Sequence, residues 1–349
     1  MPHNQHGGKT QIEKDRKELV KKYIERIGHA NFSNRTLARQ IVNENPDLWA
    51  HTKDPISTVR SIIQRFRCNG TKAYPEDQRL FVREEMKPSE YMKQYMIQGE
   101  STAKPTWYLP KELRKVLVLS DLHIPYHHNE AIESALNYGF EQGIDSIYIN
   151  GDLLDFADIS RFLKDKEARN IQYELDLTRE FLEGLVSLGV RVFYKAGNHD
   201  HRLSVYLARN APELIALDVL QLPKLLGLEE LGIEYIHDRQ LAKFGKLSVV
   251  HGHEFGESVF SPVNPARGLF LRAKSSVLAG HNHQTSSHHE NNLNGDATAC
   301  FSTGCLCDMQ PNYRPFAALK WNHGAAIVEI EENGDFSVDN FRIIDGKIR

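Results

Sequence analysis

The sequence predicts an α/β fold, a sandwich of two mixed β-sheets flanked by helices, preceded by a small all-α domain. Three observations predict it. Apolar residues recur at helix spacing before Pro75, strand and helix patterns alternate from Leu113 onward, and the charge balance changes between the two parts. With 349 residues, 40% of them hydrophobic, the chain can bury one sizeable core and support a small extra domain.

The formal net charge is −3, but it is unevenly spread. Residues 1–75 hold 14 Lys and Arg against 7 Asp and Glu, and the remainder holds 29 against 39. Such an asymmetry points to a polyanion-binding arm beside an acidic, cation-binding body, with a solvated helical surface as the plain alternative. No stretch approaches the ~20 apolar residues of a membrane span, and the opening MPHNQHGGKT lacks the apolar core of a secretory signal. A soluble cytoplasmic protein, with no membrane partner, is expected. Cys68, Cys300, Cys305 and Cys307 are too few for a disulfide framework, and CLC is not the CxxC of zinc or redox motifs, so reduced thiols are expected.

In the first domain, residues 1–75, Ile12, Leu19, Val20, Tyr23, Ile24 and Ile27 set a helix from Lys9 to Ile27 that Gly28 ends. Ser33 or Asn34 caps a second helix through Val42. Asp54-Pro55 starts a third, carrying Ile56, Val59, Ile62, Ile63 and Phe66. That third helix turns Arg60, Gln64, Arg65 and Arg67 to its polar side, as the recognition helix of a helix-turn-helix unit does, which makes Arg60, Arg65 and Arg67 candidate nucleic-acid contacts. The connection NENPDLWAHTKD is much longer than the turn of that motif, and a helical protein-interaction domain is the competing reading. Residues 76–112, broken by Pro88, Pro105 and Pro110, read as a linker, and the second domain is placed at 113–349.

There the strands VLVLS, SIYIN and VRVFYKA alternate with helices from Glu130 to Gln142 and from Arg169 to Leu188. Shorter strands follow at IEYI, LSVV, SVLA, ATACF and AAIVEI, the last turning through Asn333-Gly334 into FSVD. Five of these strands run straight into polar residues able to ligate a metal: Asp121-Leu-His123, Gly151-Asp152, Gly197-Asn198-His199-Asp200, His251, and Gly280-His281-Asn-His283. Sites in open α/β sheets form beyond the carboxyl ends of strands, so five such ends are expected to share one crevice. If strand alternation persists, Asp121 with His123, and His281 with His283, are aimed as pairs. Singly, each cluster reads as an ordinary turn or polar network; jointly they do not.

DLH, GDLLD, GNHD, the lone His251 and GHNH resemble, in order, the five blocks of the calcineurin-like metallophosphoesterase superfamily. The resemblance spans about Leu113 to His283 and leaves the first domain unaddressed. It implies a four-layer α/β/β/α sandwich and two divalent metal ions. Asp121, His123, Asp152 and His283 would hold one ion, and Asp152, Asn198, His251 and His281 the other, with Asp152 bridging. A mixed Asp, Asn and His set suits Mn²⁺, the first choice, or Fe or Zn²⁺. A metal-activated bridging hydroxide would attack phosphorus. By the same resemblance His199 is the catalytic histidine; Asp155, three residues beyond Asp152 in GDLLD, is its expected orienting partner, and Asp200 is expected to support the ligands from behind. His253 competes with His251 as ligand, but the strand leads directly into His251. Arg202 is a candidate for binding substrate phosphate. His127, His128, His288, His289 and the segment from Phe156 to Asn170 border the motifs and are candidate walls of the substrate entrance.

The expected activity is phosphate ester hydrolysis by a phosphodiesterase or nuclease acting on DNA, the basic first domain pointing to nucleic acid as partner. The alternative enzyme is a small-substrate phosphatase or nucleotide phosphodiesterase whose helical domain serves protein association. A non-catalytic DNA-binding scaffold is the third reading, and the complete ligand set argues against it.

Overall fold

The computed structural model describes residues 6–27, 33–67, 90, 101, 103–160, 170–256, 263–310 and 320–349. Cys68, the first part of the expected linker and the middle of the segment from Phe156 to Asn170 lie outside the described residues. The chain divides into two units, Met1–Glu100 and Ser101–Arg349.

In the first unit, helices α1 (His6–Ile27), α2 (Asn34–Glu44), α3 (Pro46–Trp49) and α4 (Pro55–Phe66) enclose a core of Val20, Ile24, Leu37, Ile41, Val59 and Ile63. Ser33 caps α2 by accepting from Thr36 N, and Asp54 caps α4 by accepting from Ser57 N, each satisfying a helix-end N–H. The long connection is more than a loop: α3 forms within it and drives Trp49 into the core. The Arg16 guanidinium stacks over that indole and donates to Leu48 O at 2.8 Å. On α4, Arg60 and Arg65 are exposed, whereas Arg67 is half-buried and donates to Asn34 Oδ1 at 2.8 Å.

The second unit holds two sheets. The larger has strand order β13-β12-β11-β2-β3-β4-β5. These strands are β2 (Lys115–Leu119), β3 (Ser146–Asn150), β4 (Arg191–Lys195), β5 (Glu234–Ile236), β11 (His323–Ile330), β12 (Phe336–Ile344) and β13 (Lys347–Ile348). The smaller has order β1-β6-β7-β8-β10-β9, from β1 (Trp107–Tyr108), β6 (Ala242–Phe244), β7 (Leu247–Val250), β8 (Val277–Ala279), β9 (Ser286–Asn291) and β10 (Ala297–Ser302). Strands β2 to β5 run parallel, as do β7 and β8. Side-chain alternation divides the core. Val116 and Val118 point between the sheets, meeting Phe244 and Val249, while Leu117 and Leu119 point to the outer face beneath α5 (Asn129–Glu141) and α6 (Ile171–Ser187). Helix α8 (Pro265–Ala273) covers the far face of the smaller sheet through Ala266 and Leu269. Helix, sheet, sheet and helix make the four layers expected.

Two boundaries differ from expectation. Trp107 and Tyr108 pair with Ala242 and Lys243, so the stretch read as the end of a linker is an edge of the second unit, held because its backbone groups complete the sheet. Strand β9, with sequence SSHHEN, has no apolar alternation and forms because it pairs along its whole length with β10.

Helix α6 carries Glu174, a buried carboxylate whose Oε2 accepts from Phe156 N at 2.9 Å and holds Phe156 in a left-handed conformation, φ 48°. Burial, and then the charge of Asp155, push this carboxyl up to about 8. Between the ordinary glutamate value and that figure the folded state keeps a proton that the unfolded chain has released, so stability falls as pH rises through this window. Urea unfolding at about pH 5 and about pH 8 is expected to show a loss on the order of 2–4 kcal/mol in the wild type. Glu174→Gln, which keeps an acceptor oxygen without titrating, should flatten that dependence; an equal slope in both proteins would refute it.

Candidate metal centre

All five motif-bearing strands end at the same edge of the sandwich. β2, β3 and β4 of the larger sheet deliver Asp121, Asp152 and Asn198, and β7 and β8 of the smaller deliver His251 and His281. The pairs are not aimed by strand alternation, because β2 stops at Leu119 and β8 at Ala279. Asp121, His123, Asp152, His281 and His283 instead adopt left-handed backbone conformations, φ 58°, 52°, 51°, 66° and 55°. Non-glycine residues seldom hold this region, and a cluster of them marks a backbone over-determined by its surroundings. Here neighbouring segments supply the constraint: Asp121 N donates to Gly151 O at 3.1 Å and His123 N to Asp152 O at 3.0 Å.

The side chains so aimed converge. Asp152 Oδ2 lies 3.2 Å from His251 Nε2 and 3.9 Å from His123 Nε2. His283 Nε2 lies 3.1 Å from Asp121 Oδ1 and 3.3 Å from His123 Nε2, and His251 Nε2 lies 3.2 Å from Asn198 Oδ1. Asp152, His251 and His281 form one group able to hold an ion, and His123, Asp152 and His199 another. A third combines His123 and His283 with Cys307, a thiol the sequence reading set aside. Cys300, Cys305 and Cys307 are free and buried.

The outer nitrogens are tied as metal-binding imidazoles usually are. His251 Nδ1 sits 2.7 Å from Asn150 O and His123 Nδ1 3.0 Å from Asp155 Oδ1, so in each ring Nδ1 donates outward and Nε2 faces the cluster, able to offer a lone pair to an ion that displaces its proton. Asp121 Oδ2 accepts from Ser120 Oγ at 2.6 Å and from His281 N at 2.9 Å, leaving Oδ1 for the cluster. Burial alone would raise the carboxyls of Asp121 and Asp152, but the facing charges of His283 and His251 hold both well below the usual range. Burial opposes protonation of His251, yet the Asp152 carboxylate outweighs it and lifts the ring to about 10; His281, lacking such contact, falls to about 4 through burial and the charge of His251. Inward lone pairs at His123 Nε2 and Asp121 Oδ1, crowded beside acid oxygens behind a dry wall, fit a divalent cation among them.

Asp155 serves two rings. Its Oδ1 lies 3.0 Å from His123 Nδ1 and 3.0 Å from His199 Nδ1. His199 Nε2 accepts from Arg202 Nη2 at 2.8 Å, and Arg202 Nη1 donates to Asp155 O at 2.7 Å. Asp200 is buried and points away from the cluster, its two oxygens accepting from Leu154 N at 3.0 Å and Gly197 N at 2.7 Å, which locks GDLLD to GNHD. Burial and the charge of Asp152 raise its carboxyl to about 6. His253 begins a 3₁₀ turn and lies 4.0 Å from Asp238 Oδ2, outside the cluster. His128 caps α5, and His288 pairs with Glu290 on β9 at 3.1 Å.

Sequence reading missed the supports. Asn150 donates to Val250 O at 2.8 Å, joining the two sheets beneath the cluster. Glu254 accepts from His251 N at 3.1 Å and pairs with the fully buried Lys195 at 3.2 Å. Trp321 packs its ring 4.2 Å from that of His283, and Cys307 Sγ lies 3.9 Å from His283 Nδ1. A polar residue closing an otherwise apolar strand, as in SIYIN, was the available signal for Asn150. The motif glycines are required by close approach. A Cβ on Gly151, φ 89°, would fall 2.3 Å from His251 Nδ1, and one on Gly197 would fall 2.3 Å from Asp152 Oδ1.

Comparison with known proteins follows the same outline. Residues 114–312 match the calcineurin-like phosphoesterase family. Gene 54 protein of Mycobacterium phage L5 is 27% identical over 229 residues, covering 62% of this chain and 89% of that protein. Gene 54 protein of Mycobacterium phage D29 is 26% identical over 248 residues, covering 65% and 97%. Among solved structures, vacuolar protein sorting 29 from Cryptosporidium parvum is similar with a TM-score of 0.38 and 14% identity, over 68% of this chain and 95% of that one. The phosphoesterase YfcE from E. coli has a TM-score of 0.31 and 16% identity, over 64% and 98%.

The contact at Gly197 predicts that Gly197→Ala displaces the Asp152 carboxylate. Calorimetric titration with Mn²⁺ should show affinity weakened about 10- to 100-fold while far-UV circular dichroism stays that of the wild type. Undiminished metal uptake would contradict this account of the packing.

Proposed function

Because the chain belongs to the calcineurin-like phosphoesterase family, and is thereby a metal-dependent hydrolase of phosphate esters, we propose that it is a phosphodiesterase or nuclease acting on DNA. The observation that carries the hydrolytic reading is the gathering of six other ligand-type side chains around Asp152. In this reading Asp121, His123, Asp152 and His283 would hold one divalent ion, and Asp152, Asn198, His251 and His281 a second. Asp152, whose Oδ2 lies 3.2 Å from His251 Nε2 and 3.9 Å from His123 Nε2, would be the residue shared by the two sets. The oxygen and imidazole donors favour Mn²⁺, with Fe or Zn²⁺ as the other occupants. When bound, the ions supply Lewis acidity, acidifying the attacking water and neutralising charge that builds on the phosphoryl oxygens.

The chain's own residues do the rest. Asp155 fixes the His199 ring through Nδ1, so Nε2 is the atom presented to the leaving oxygen once substrate phosphate draws the Arg202 guanidinium off it and the ring takes up a proton to deliver. Arg202, already beside Nε2, is placed to hold a phosphoryl oxygen through its planar fork. Since one oxygen of Asp155 serves both His123 and His199, metal binding and proton delivery share an anchor.

DNA as substrate is supported by the 14 Lys and Arg against 7 Asp and Glu in the first 75 residues, and by exposed Arg60 and Arg65 on α4. Arg67, with its guanidinium on Asn34, serves the helical unit itself.

Incubation with Mn²⁺ and DNA is expected to release nucleotides or nicks. Asp152→Asn should abolish that activity, and His199→Ala should lower kcat by about 10² to 10⁴ with metal content preserved. Hydrolysis of p-nitrophenyl phosphate or cyclic nucleotides, with DNA left intact, would replace the DNA reading by that of a small-substrate esterase. Separately, replacing Arg60 and Arg65 by Ala should reduce the slope of log affinity for DNA against log salt by about 1 to 2, with kcat on a small diester unchanged. An unchanged slope would remove the helical unit from DNA recognition.

A further inference from the structure

An open cleft of about 610 Å³ adjoins the metal-ligand cluster, with Asn198 and His253 among the residues that line it. One side is lined by Asp158, Ile159 and Ser160, and another by helix α7 (Arg202–Asn210). Arg202, Val205, Tyr206 and Arg209 all line it, and their spacing puts them on one face of the helix, a strip about 10 Å long. α7 has no fully buried residue, so this face is turned to the cleft and not to the core.

The charges along the strip differ in what they are free to do. Arg202 bonds His199 and Asp155 and so faces the cluster, where the scissile phosphate would lie. Arg239 has Nε 3.7 Å from Asp238 Oδ2, and that carboxylate is also faced by His201, His237 and His253. Arg209 is exposed and has no ion-pair partner among the described residues. Tyr206, one helical turn from Arg202 and beside Arg209, leaves 42% of its surface open.

We propose that this cleft binds the nucleotide next to the scissile phosphate on an unpaired strand, with Arg209 on the neighbouring phosphate and Tyr206 stacked on the neighbouring base. The inference rests on the DNA reading above and narrows it to single-stranded segments or strand ends. An exposed aromatic ring stacks only on a base whose face is open, and a cleft of this volume has room for a nucleotide. A guanidinium with no ion-pair partner among the described residues, about two turns along the same helix face from a residue beside the cluster, is suited to a second phosphate.

The test compares wild type, Tyr206→Ala, Tyr206→Phe and Arg209→Ala on a single-stranded oligodeoxynucleotide and on bis(p-nitrophenyl) phosphate, a diester with no second phosphate. KM for the oligonucleotide should rise about tenfold in Tyr206→Ala and in Arg209→Ala with little change in kcat. Tyr206→Phe, which keeps the ring, should retain the wild-type KM. The salt slope of oligonucleotide binding should fall by about 1 in Arg209→Ala alone. KM of Arg209→Ala for the small diester should stay that of the wild type, which also reports that the variant is folded. Oligonucleotide KM values within twofold of wild type in both Ala variants, or an equal rise on the small diester in Arg209→Ala, would overturn the proposal while leaving the DNA reading in place. A wild type that cleaves the small diester and no DNA would remove the DNA reading and this inference with it.

Discussion

Carboxylates and imidazoles stand within about a hydrogen bond of one another in a nearly dry pocket, several with lone pairs facing inward. Such an arrangement repels itself unless positive charge lies among the donors. Without metal, protons supply that charge: His251 is lifted to about 10 by the Asp152 carboxylate, and the Asp121 and Asp152 carboxyls are held ionised by the facing charges of His283 and His251 respectively. A divalent ion replaces those protons, so the cluster exchanges one positive occupant for another and metal affinity rises as protons become scarce. The surrounding bonds, from Ser120, Asn150, Asp155 and Glu254, hold the donors at these separations against their mutual repulsion.

Much of this was legible in the chain. Apolar strands running directly into DLH, GDLLD, GNHD and GHNH announce their own ends, because a strand buried on both faces must stop where polar ligands begin. The parallel order β2-β3-β4-β5 and the helices outside it follow from the same alternation. The left-handed backbone was not legible: Asp and His tolerate such φ values, but nothing in their identity demands them. Strand alternation therefore does not account for how these side chains come to face one cluster. β9 and β1 escaped detection because their formation depends on partners distant in sequence, and α3 because four residues carry too little periodicity.

Asp155 illustrates what spacing alone conveys and what it omits. Three positions beyond Asp152, it is near enough to reach the GNHD loop, and the His199 contact follows from that neighbourhood. Its equal contact with His123 depends on Phe156 holding a left-handed turn, which depends in turn on a buried glutamate from α6. Such chains of support lie in pairs of residues far apart in sequence, each unremarkable where it stands.

The donors come from both sheets, and Asn150 reaches from the larger to the main chain of the smaller beneath them. Any ion that recognises only the assembled cluster therefore acts as a rivet through the sandwich, stabilising the closed body by mass action in proportion to the logarithm of its free concentration. For such an architecture, cellular metal supply governs how long the molecule survives as well as how fast it works, and a chelator becomes a denaturant.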